Sequence, residues 1–446
     1  MSTSLFGTDG IRGRVGTFPI DPESMVRLGH GIARVLSSNQ QGFRVLLGKD
    51  TRLSGYMLES ALESGLISAG VDVILTGPLP TPAVGYLTET LRADLGIVIS
   101  ASHNPYMDNG VKLILPSGEK LDPQQSRLIE QYLYQPVKMF DATELGRATR
   151  LDGATQRYAE RCKSKLNHVK DLSGLKVVLD CANGATYQVA KMVFEELNAK
   201  VHVINDQPNG YNINLNSGST CPDLLVREVV RTGSDCGLAF DGDGDRLIMV
   251  DSEGTVLDGD DILWCLSNND KRYFDLSGVV KTVMSNGALE QHLSGRNIGI
   301  ETVPVGDHYV MKKLKEQGWI LGAEPSGHIL SLDASQMGDA IISGILVVET
   351  MLLSGKPLSA LRLPDKFPQV QGNINLPLDV DRDMLNNQIR AFERSINDEV
   401  KVVIRPSGTE PKLRYLFESE KADLAKLQNN FYNWFSDLNF QTQIDS

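Results

Sequence analysis

The chain has 446 residues, 41% of them hydrophobic and 22% charged. That is the balance of a soluble globular protein too long for one core, and it points to about three or four domains. The formal charge of −12 argues against a nucleic-acid partner, so an anionic ligand would need positive charge supplied locally.

Taken in order, the first notable segment is Gly7-Thr-Asp-Gly-Ile-Arg-Gly13, where three glycines surround Asp9 and Arg12. Glycine-rich polar loops of this kind can approach a phosphate closely. Phe43 to Leu47 reads as a strand, Met57 to Ala69 as an amphipathic helix and Val71 to Leu75 as the next strand. Leu95 to Ser100 is a buried-strand pattern that runs into Ala101-Ser102-His103-Asn104-Pro105. A serine at a strand's C-terminal end, beside a histidine and a rigid Asn-Pro turn and with Lys112 close by, is placed to act as a nucleophile. A capping or turn serine is the plainer alternative. No GxSxG elbow accompanies it, which disfavours an acyl-transfer hydrolase.

The strand–helix–strand unit recurs at Leu175 to Ile204 and again at Gly278 to Val303, which predicts repeated α/β domains. A second echo ties these units together. Gly110 to Leu115, Arg246 to Val250 and His328 to Leu332 each read as a strand followed by a turn, and each follows an unusual polar loop. The loops are Ala101 to Pro105, Asp241 to Asp245 and Glu324-Pro-Ser-Gly-His328. If the domains share a fold, all three loops face one cleft. Glu324, Ser326 and His328 could then hydrogen-bond sugar hydroxyls or an amine. After about Leu361 the prolines 364, 368 and 377 break the chain, and the remainder reads as a separate α+β domain.

Asp241-Gly-Asp-Gly-Asp245-Arg246 carries the most chemistry. Three carboxylates on alternate residues repel one another and call for a cation, and the glycines let the backbone fold around one hard ion, with magnesium the first expectation. The buried-strand pattern Cys236 to Phe240 places this loop where open α/β sheets bind ligands. An EF-hand would need Gly and Glu where Arg246 and Ser252 stand. An aspartyl-nucleophile phosphatase and a solvated acidic turn remain as alternatives. In the last domain, Val400 to Ile404 reads as a strand leading into Arg405-Pro-Ser-Gly-Thr-Glu-Pro-Lys-Leu-Arg414. An arginine fork with hydroxyls and free amides suits a phosphate, without the spacing of a nucleotide-binding P-loop.

No apolar run reaches membrane-span length, and the N-terminus lacks a basic-then-apolar leader. The five cysteines (Cys162, Cys181, Cys221, Cys236, Cys265) are scattered without a CxxC pair, so a reduced, cytoplasmic location with no membrane partner is expected.

Together, Phe6 to Gly13, Ser100 to Pro105, Asp241 to Arg246, Glu324 to His328 and Arg405 to Pro411 resemble the α-D-phosphohexomutase family, in the family's order and over essentially the whole chain. Ser54 to Glu59, Gly77 to Pro82, Asp180 to Thr186 and Val305 to Asp307 are similar to the branch that acts on glucosamine phosphates. Two positions depart from that branch: Pro325 replaces the usual Gln or Asn, and His308 the usual Arg. The resemblance implies three topologically similar mixed-sheet α/β domains and a more mobile C-terminal α+β domain around one cleft. Their expected bounds are 1–150, 151–256, 257–363 and 364–446. It further implies a catalytic group of Ser102, His103, Lys112 and Arg246, with Ser102 carrying a phosphoryl group. Lys112 and His308 are the candidates for general acid and base. Asp241, Asp243 and Asp245, with phosphorylated Ser102, would hold magnesium. Arg12, Glu324, Ser326, Arg405, Ser407, Gly408 and Thr409 would bind substrate. The expected substrate is a small sugar phosphate, with glucosamine or glucose 1,6-bisphosphate as primer, and the expected assembly a monomer or homodimer. A phosphomannomutase or phosphoglucomutase, and a non-catalytic sugar-phosphate sensor, are the competing functions.

Overall fold

The computed structural model of the chain describes residues 5–7, 10–37, 42–118, 121–377, 380–407 and 412–438. Among these, the strands form four sheets of six, five, four and three strands, in chain order. The expected strands are present with edges moved by at most three residues, such as Arg44–Lys49, Asp72–Pro78 and Lys176–Asp180. The helix expected from Met57 begins earlier and runs Leu53–Ile67. Exposed Leu53, Tyr56 and Met57 put apolar residues on its outer side and blur the helical period at its start.

The first three sheets repeat one device. Leu95–Ile99 lies parallel to Arg44–Lys49, and the chain then returns antiparallel along Asp108–Ile114. Cys236–Phe240 lies parallel to Lys176–Asp180 and is followed by antiparallel Leu247–Asp251. Leu321–Ala323 lies parallel to Gly278–Thr282 and is followed by antiparallel Ile329–Ser331. Each polar loop is therefore the link between a buried parallel strand and its antiparallel return. Open sheets present ligands at such strand ends.

Several helices were not foreseen, and one of them is central to the fold. Ala340–Ser354 is a helix buried from Ala340 through Met351, so it lacks the polar face that marks a surface helix in sequence. Asp339 starts it by accepting the Ile342 N–H at 3.0 Å. Its side chains join a core that runs without a break from Leu46 and Val84 through Val177 and Leu238 to Val279 and Leu321. Each fully buried Ile, Leu or Val there contributes about 1.5–3 kcal/mol before chain entropy is counted. The first three sheets are thus cemented into one body, which is what lets three separate loops be aimed at one point. The last sheet, Gln369–Asn375, Lys412–Glu418 and Lys401–Pro406, packs on its own aromatic core around Tyr415, Phe417, Phe431 and Phe435. It touches the third domain through Glu418, whose Oε1 accepts the Gly287 N–H at 3.0 Å.

Candidate active site

The acidic loop is stitched to both neighbouring domains through its backbone. The Thr81 N–H donates to the Asp243 carbonyl at 2.8 Å and the Ala340 N–H to the Gly244 carbonyl at 3.1 Å. The Leu247 N–H donates to the Gly327 carbonyl at 2.9 Å. Gly327 has φ +91°, and a Cβ there would lie 2.3 Å from the Leu247 carbonyl, so the loop Glu324 to His328 can sit this close only as glycine.

Asp241, Asp243 and Asp245 are buried, and one oxygen from each lies within 4.8 Å of the others. At that spacing and an effective dielectric of about 20, each charged pair repels by roughly 3 kcal/mol. The protein offsets this partly with Lys112, whose Nζ lies 2.6 Å from Asp243 Oδ2 and 2.9 Å from Asp245 Oδ2. The Thr81 hydroxyl adds a hydrogen bond to Asp243 Oδ2 at 2.5 Å. Burial and Asp245 push the Asp243 carboxyl up, but Lys112 and Thr81 outweigh them and hold it below its ordinary range. At Asp241, burial together with Asp245 and Asp243 outweighs the opposing Arg246 and Ser102 hydroxyl and drives the carboxyl far above its ordinary range. Asp243 Oδ1 is buried and takes no hydrogen bond. Three hard carboxylates around one point, one with a buried oxygen unspent, fit a divalent magnesium ion.

Ser102 faces this cluster. Its hydroxyl donates to Asp241 Oδ2 at 2.6 Å, and its backbone is held at φ +53°, a conformation uncommon for a non-glycine residue and concentrated at functional sites. Below it, the Ser102 N–H donates to Ser100 Oγ at 2.9 Å, and the Ser100 hydroxyl donates to Asp50 Oδ2 at 2.6 Å. His103 Nδ1 lies 3.3 Å from Ser102 Oγ. Burial and the fields of Arg246 and Arg12 push this imidazole down to about 3, so it is neutral near pH 7. The Arg246 N–H donates to Asp241 Oδ1 at 3.1 Å, and its guanidinium reaches within 4.0 Å of Asp245.

The third domain's loop closes on the same centre. His328 Nδ1 lies 3.9 Å from Asp245 Oδ1, and its Nε2 lies 3.7 Å from Asp307 Oδ2. Glu324 is buried and its Oε1 accepts the Gly306 N–H at 2.8 Å, while Ser326 is exposed. His308 Nδ1 sits 3.9 Å from Asp307 Oδ1. On the fourth domain, Arg405 stands directly across the sheet from Arg414. Burial and then Arg414 lower the Arg405 guanidinium, while Glu324 acts to raise it, so the fourth domain's cation is within electrostatic reach of the third domain's loop. Two arginines side by side make a place for an anion. Ser407, two residues on from Arg405, is buried, its N–H donating to the Lys412 carbonyl at 2.7 Å. Asp9, Gly408 and Thr409 lie outside the described residues.

Among the described residues, the expected set therefore comes together: Ser102, His103, Lys112, Arg246 and the triplet form the centre, with Arg12 felt at His103. Thr81 and Asp307 were not foreseen as site residues. Both sit in stretches singled out by resemblance, Gly77 to Pro82 and Val305 to Asp307, which was the only signal available for them.

Four family descriptions match in order. Phosphoglucomutase/phosphomannomutase alpha/beta/alpha domain I covers residues 3–137, domain II 156–254, domain III 258–367 and the C-terminal domain 358–433. A phosphoglucosamine mutase of Polynucleobacter asymbioticus is 48% identical over 433 residues, covering 95% of this chain and 97% of that relative. One of Marinomonas sp. is 48% identical over 423 residues, covering 94% of each. The fold matches a phosphoglucomutase/phosphomannomutase family protein of Burkholderia thailandensis with TM-score 0.81 at 24% identity, over 100% of this chain and 99% of the other. It also matches Aspergillus fumigatus N-acetylphosphoglucosamine mutase, solved with GlcNAc-6P and magnesium, with TM-score 0.67 at 15% identity, over 97% and 95%. Fold and sequence agree on an isomerase of the sugar-phosphate mutase class. The chain belongs to the phosphoglucomutase/phosphomannomutase family.

Proposed function

We propose that this enzyme interconverts glucosamine 6-phosphate and glucosamine 1-phosphate through a phosphorylated Ser102 and a 1,6-bisphosphate, supplying amino-sugar nucleotides for the cell wall. The carrying observation is Ser102 itself, left-handed, buried and 2.6 Å from the acidic triplet. The glucosamine preference is supported by the names of relatives 48% identical over nearly the whole chain.

In this reading the Oγ–P bond of phospho-Ser102 breaks as a new P–O bond forms at the free hydroxyl of the bound sugar phosphate, whose proton ends on the released Ser102 Oγ. The bisphosphate turns end for end, and its other phosphoryl group returns to Ser102 Oγ. A bound magnesium ion, held by Asp241, Asp243, Asp245 and the phosphoserine, would spread the charge on the transferring group. Lys112 and Arg246 add fixed positive charge at the same place. His103 stays neutral and can hydrogen-bond Oγ without changing the charge balance. Arg405 and Ser407, with Gly408 and Thr409, grip the phosphate that is not reacting, and Arg12 assists from the first domain. Because a phosphate is the same at either end of the sugar, one clamp serves both orientations. Glu324 and Ser326 hydrogen-bond the sugar. Water must be kept from the phosphoserine, since it would turn the mutase into a phosphatase, and closure of the fourth domain over the ligand supplies that exclusion. The five unpaired cysteines support a reducing, cytoplasmic setting.

Pro325 and His308 favour one second reading, a mutase that accepts glucose or mannose phosphates. A coupled assay on glucosamine, glucose and mannose 6-phosphates, with magnesium and a trace of bisphosphate, separates them. A large preference for the amino sugar is expected; equal or faster turnover of the neutral sugars would overturn the assignment.

A further inference from the structure

Behind the serine loop, two side chains from different domains converge on the same backbone atoms. Arg52 is fully buried at the foot of the helix Leu53–Ile67. Its Nε donates to Asp50 Oδ2 at 2.8 Å, its Nη1 to the carbonyls of Pro105 and Asp108 at 2.5 and 3.1 Å, and its Nη2 to those of Ser102 and Asn104 at 3.0 and 2.8 Å. A guanidinium has five N–H donors, and all five are spent on the loop and its support. None is left for a phosphate, so Arg52 is not a ligand-binding arginine.

Asn214 approaches from the second domain. Its Nδ2 donates to the carbonyls of Ser102 and Asn104 at 2.9 and 3.0 Å, the same two that Arg52 Nη2 engages. Asn214 is itself left-handed, at φ +58°, and anchored by its N–H to the Ala182 carbonyl at 2.9 Å. The space around the Ser102 carbonyl is closed: a Cβ on Gly242 would lie 2.5 Å from it and 2.8 Å from Asn214 Nδ2. Thr51 Oγ1 to the Asn183 carbonyl (2.5 Å) and Leu53 N–H to the Gly210 carbonyl (3.0 Å) fasten the two domains beside this point.

We infer that Arg52 and Asn214 are positioning residues that jointly hold Ser102 in its left-handed conformation, so that the aim of its hydroxyl depends on the docking of the first domain against the second. The inference rests on the proposed role of Ser102 as phosphoryl carrier. Each lone pair of the Ser102 carbonyl takes one donor, one from each domain. With a donor removed, the strained φ loses part of what over-determines it, and Oγ swings away from Asp241.

The test uses Asn214→Gly, which removes both donors yet accepts φ +58°, and Asn214→Asp, which keeps the shape but turns an acceptor toward two carbonyls. Arg52→Lys is the companion, since an ammonium cannot reproduce the five-donor fork. Phosphorylation of Ser102 by glucose 1,6-bisphosphate is followed in a single turnover, alongside kcat, KM and Tm. For Asn214→Gly the phosphorylation rate and kcat should fall about tenfold, with KM within about twofold of wild type and Tm nearly kept. Asn214→Asp should fall further. Wild-type rates in both Asn214 variants, or losses that follow KM or Tm alone, would overturn the inference, whether or not Arg52→Lys folds. Failure of the wild-type enzyme to take up a phosphoryl group on Ser102 would instead sink the proposed function. A crystal structure of Asn214→Gly then still decides the positioning: Ser102 should leave the left-handed region, and its retention beside Asp241 refutes the inference.

Discussion

Lys112→Met offers the sharpest test of how the acidic site is held together. The substitution keeps the length of the stem and removes the ammonium that sits 2.6 Å from Asp243 and 2.9 Å from Asp245. All three side chains are buried, so water cannot replace the lost partner. Removing one member of a buried ion pair costs about 3–5 kcal/mol, because the remaining charge is left uncompensated. The three sheets share one core and unfold as a large unit, for which each kcal/mol moves Tm by about 2 °C. Without metal, Tm should therefore fall by roughly 6–10 °C. A divalent cation attracted to the same carboxylates would restore the missing charge, so the gap between variant and wild type should narrow as magnesium is added. Thermal unfolding of both proteins at pH 8, in chelator and in a magnesium series, reads this directly. Equal Tm values in chelator would refute the counter-ion role of Lys112. A gap that magnesium leaves unchanged would refute the triplet as the metal site.

Other expectations are simpler to read. Ser102→Ala should abolish turnover while sugar-phosphate binding stays measurable by calorimetry; retained mutase activity removes the phosphoserine from the mechanism. Arg405→Ala should raise KM about tenfold or more with a smaller effect on kcat, and normal saturation would exclude a clamp role. Asp339, buried at the start of the central helix, has its carboxyl pushed up by burial to about 6 from 3.8. Between those values the native state binds its proton more tightly than the unfolded state, so this group's contribution to stability falls as pH rises from 4 to 6, by up to about 3 kcal/mol. Asp339→Asn keeps an acceptor for the Ile342 N–H and removes the titration, so its Tm relative to wild type should climb across that window; a flat difference from pH 4 to 7 would refute the account.

Whatever is written in consecutive residues is legible without the fold. Alternating acids and glycines at 241–245 announce a cation site because the repulsion is local. The apolar runs Leu95 to Ile99 and Cys236 to Phe240 announce buried strands for the same reason, and the recurrence of loop, strand and turn foretold three sheets of one design. Tertiary structure alone decided which residues support those loops. Lys112 and Thr81 reach Asp243 across 131 and 162 positions, and Asn214 reaches Ser102 across 112. Nothing in the sequence marks Arg52, and only the fold turned its side chain inward onto four carbonyls. The central helix Ala340–Ser354 escaped notice because a helix buried all round carries no periodic polar face. Pattern in a chain reports each element's own exposure to water; contacts between elements exist only once a shared core has fixed their positions, and it is those contacts that aim Ser102 at the acidic triplet.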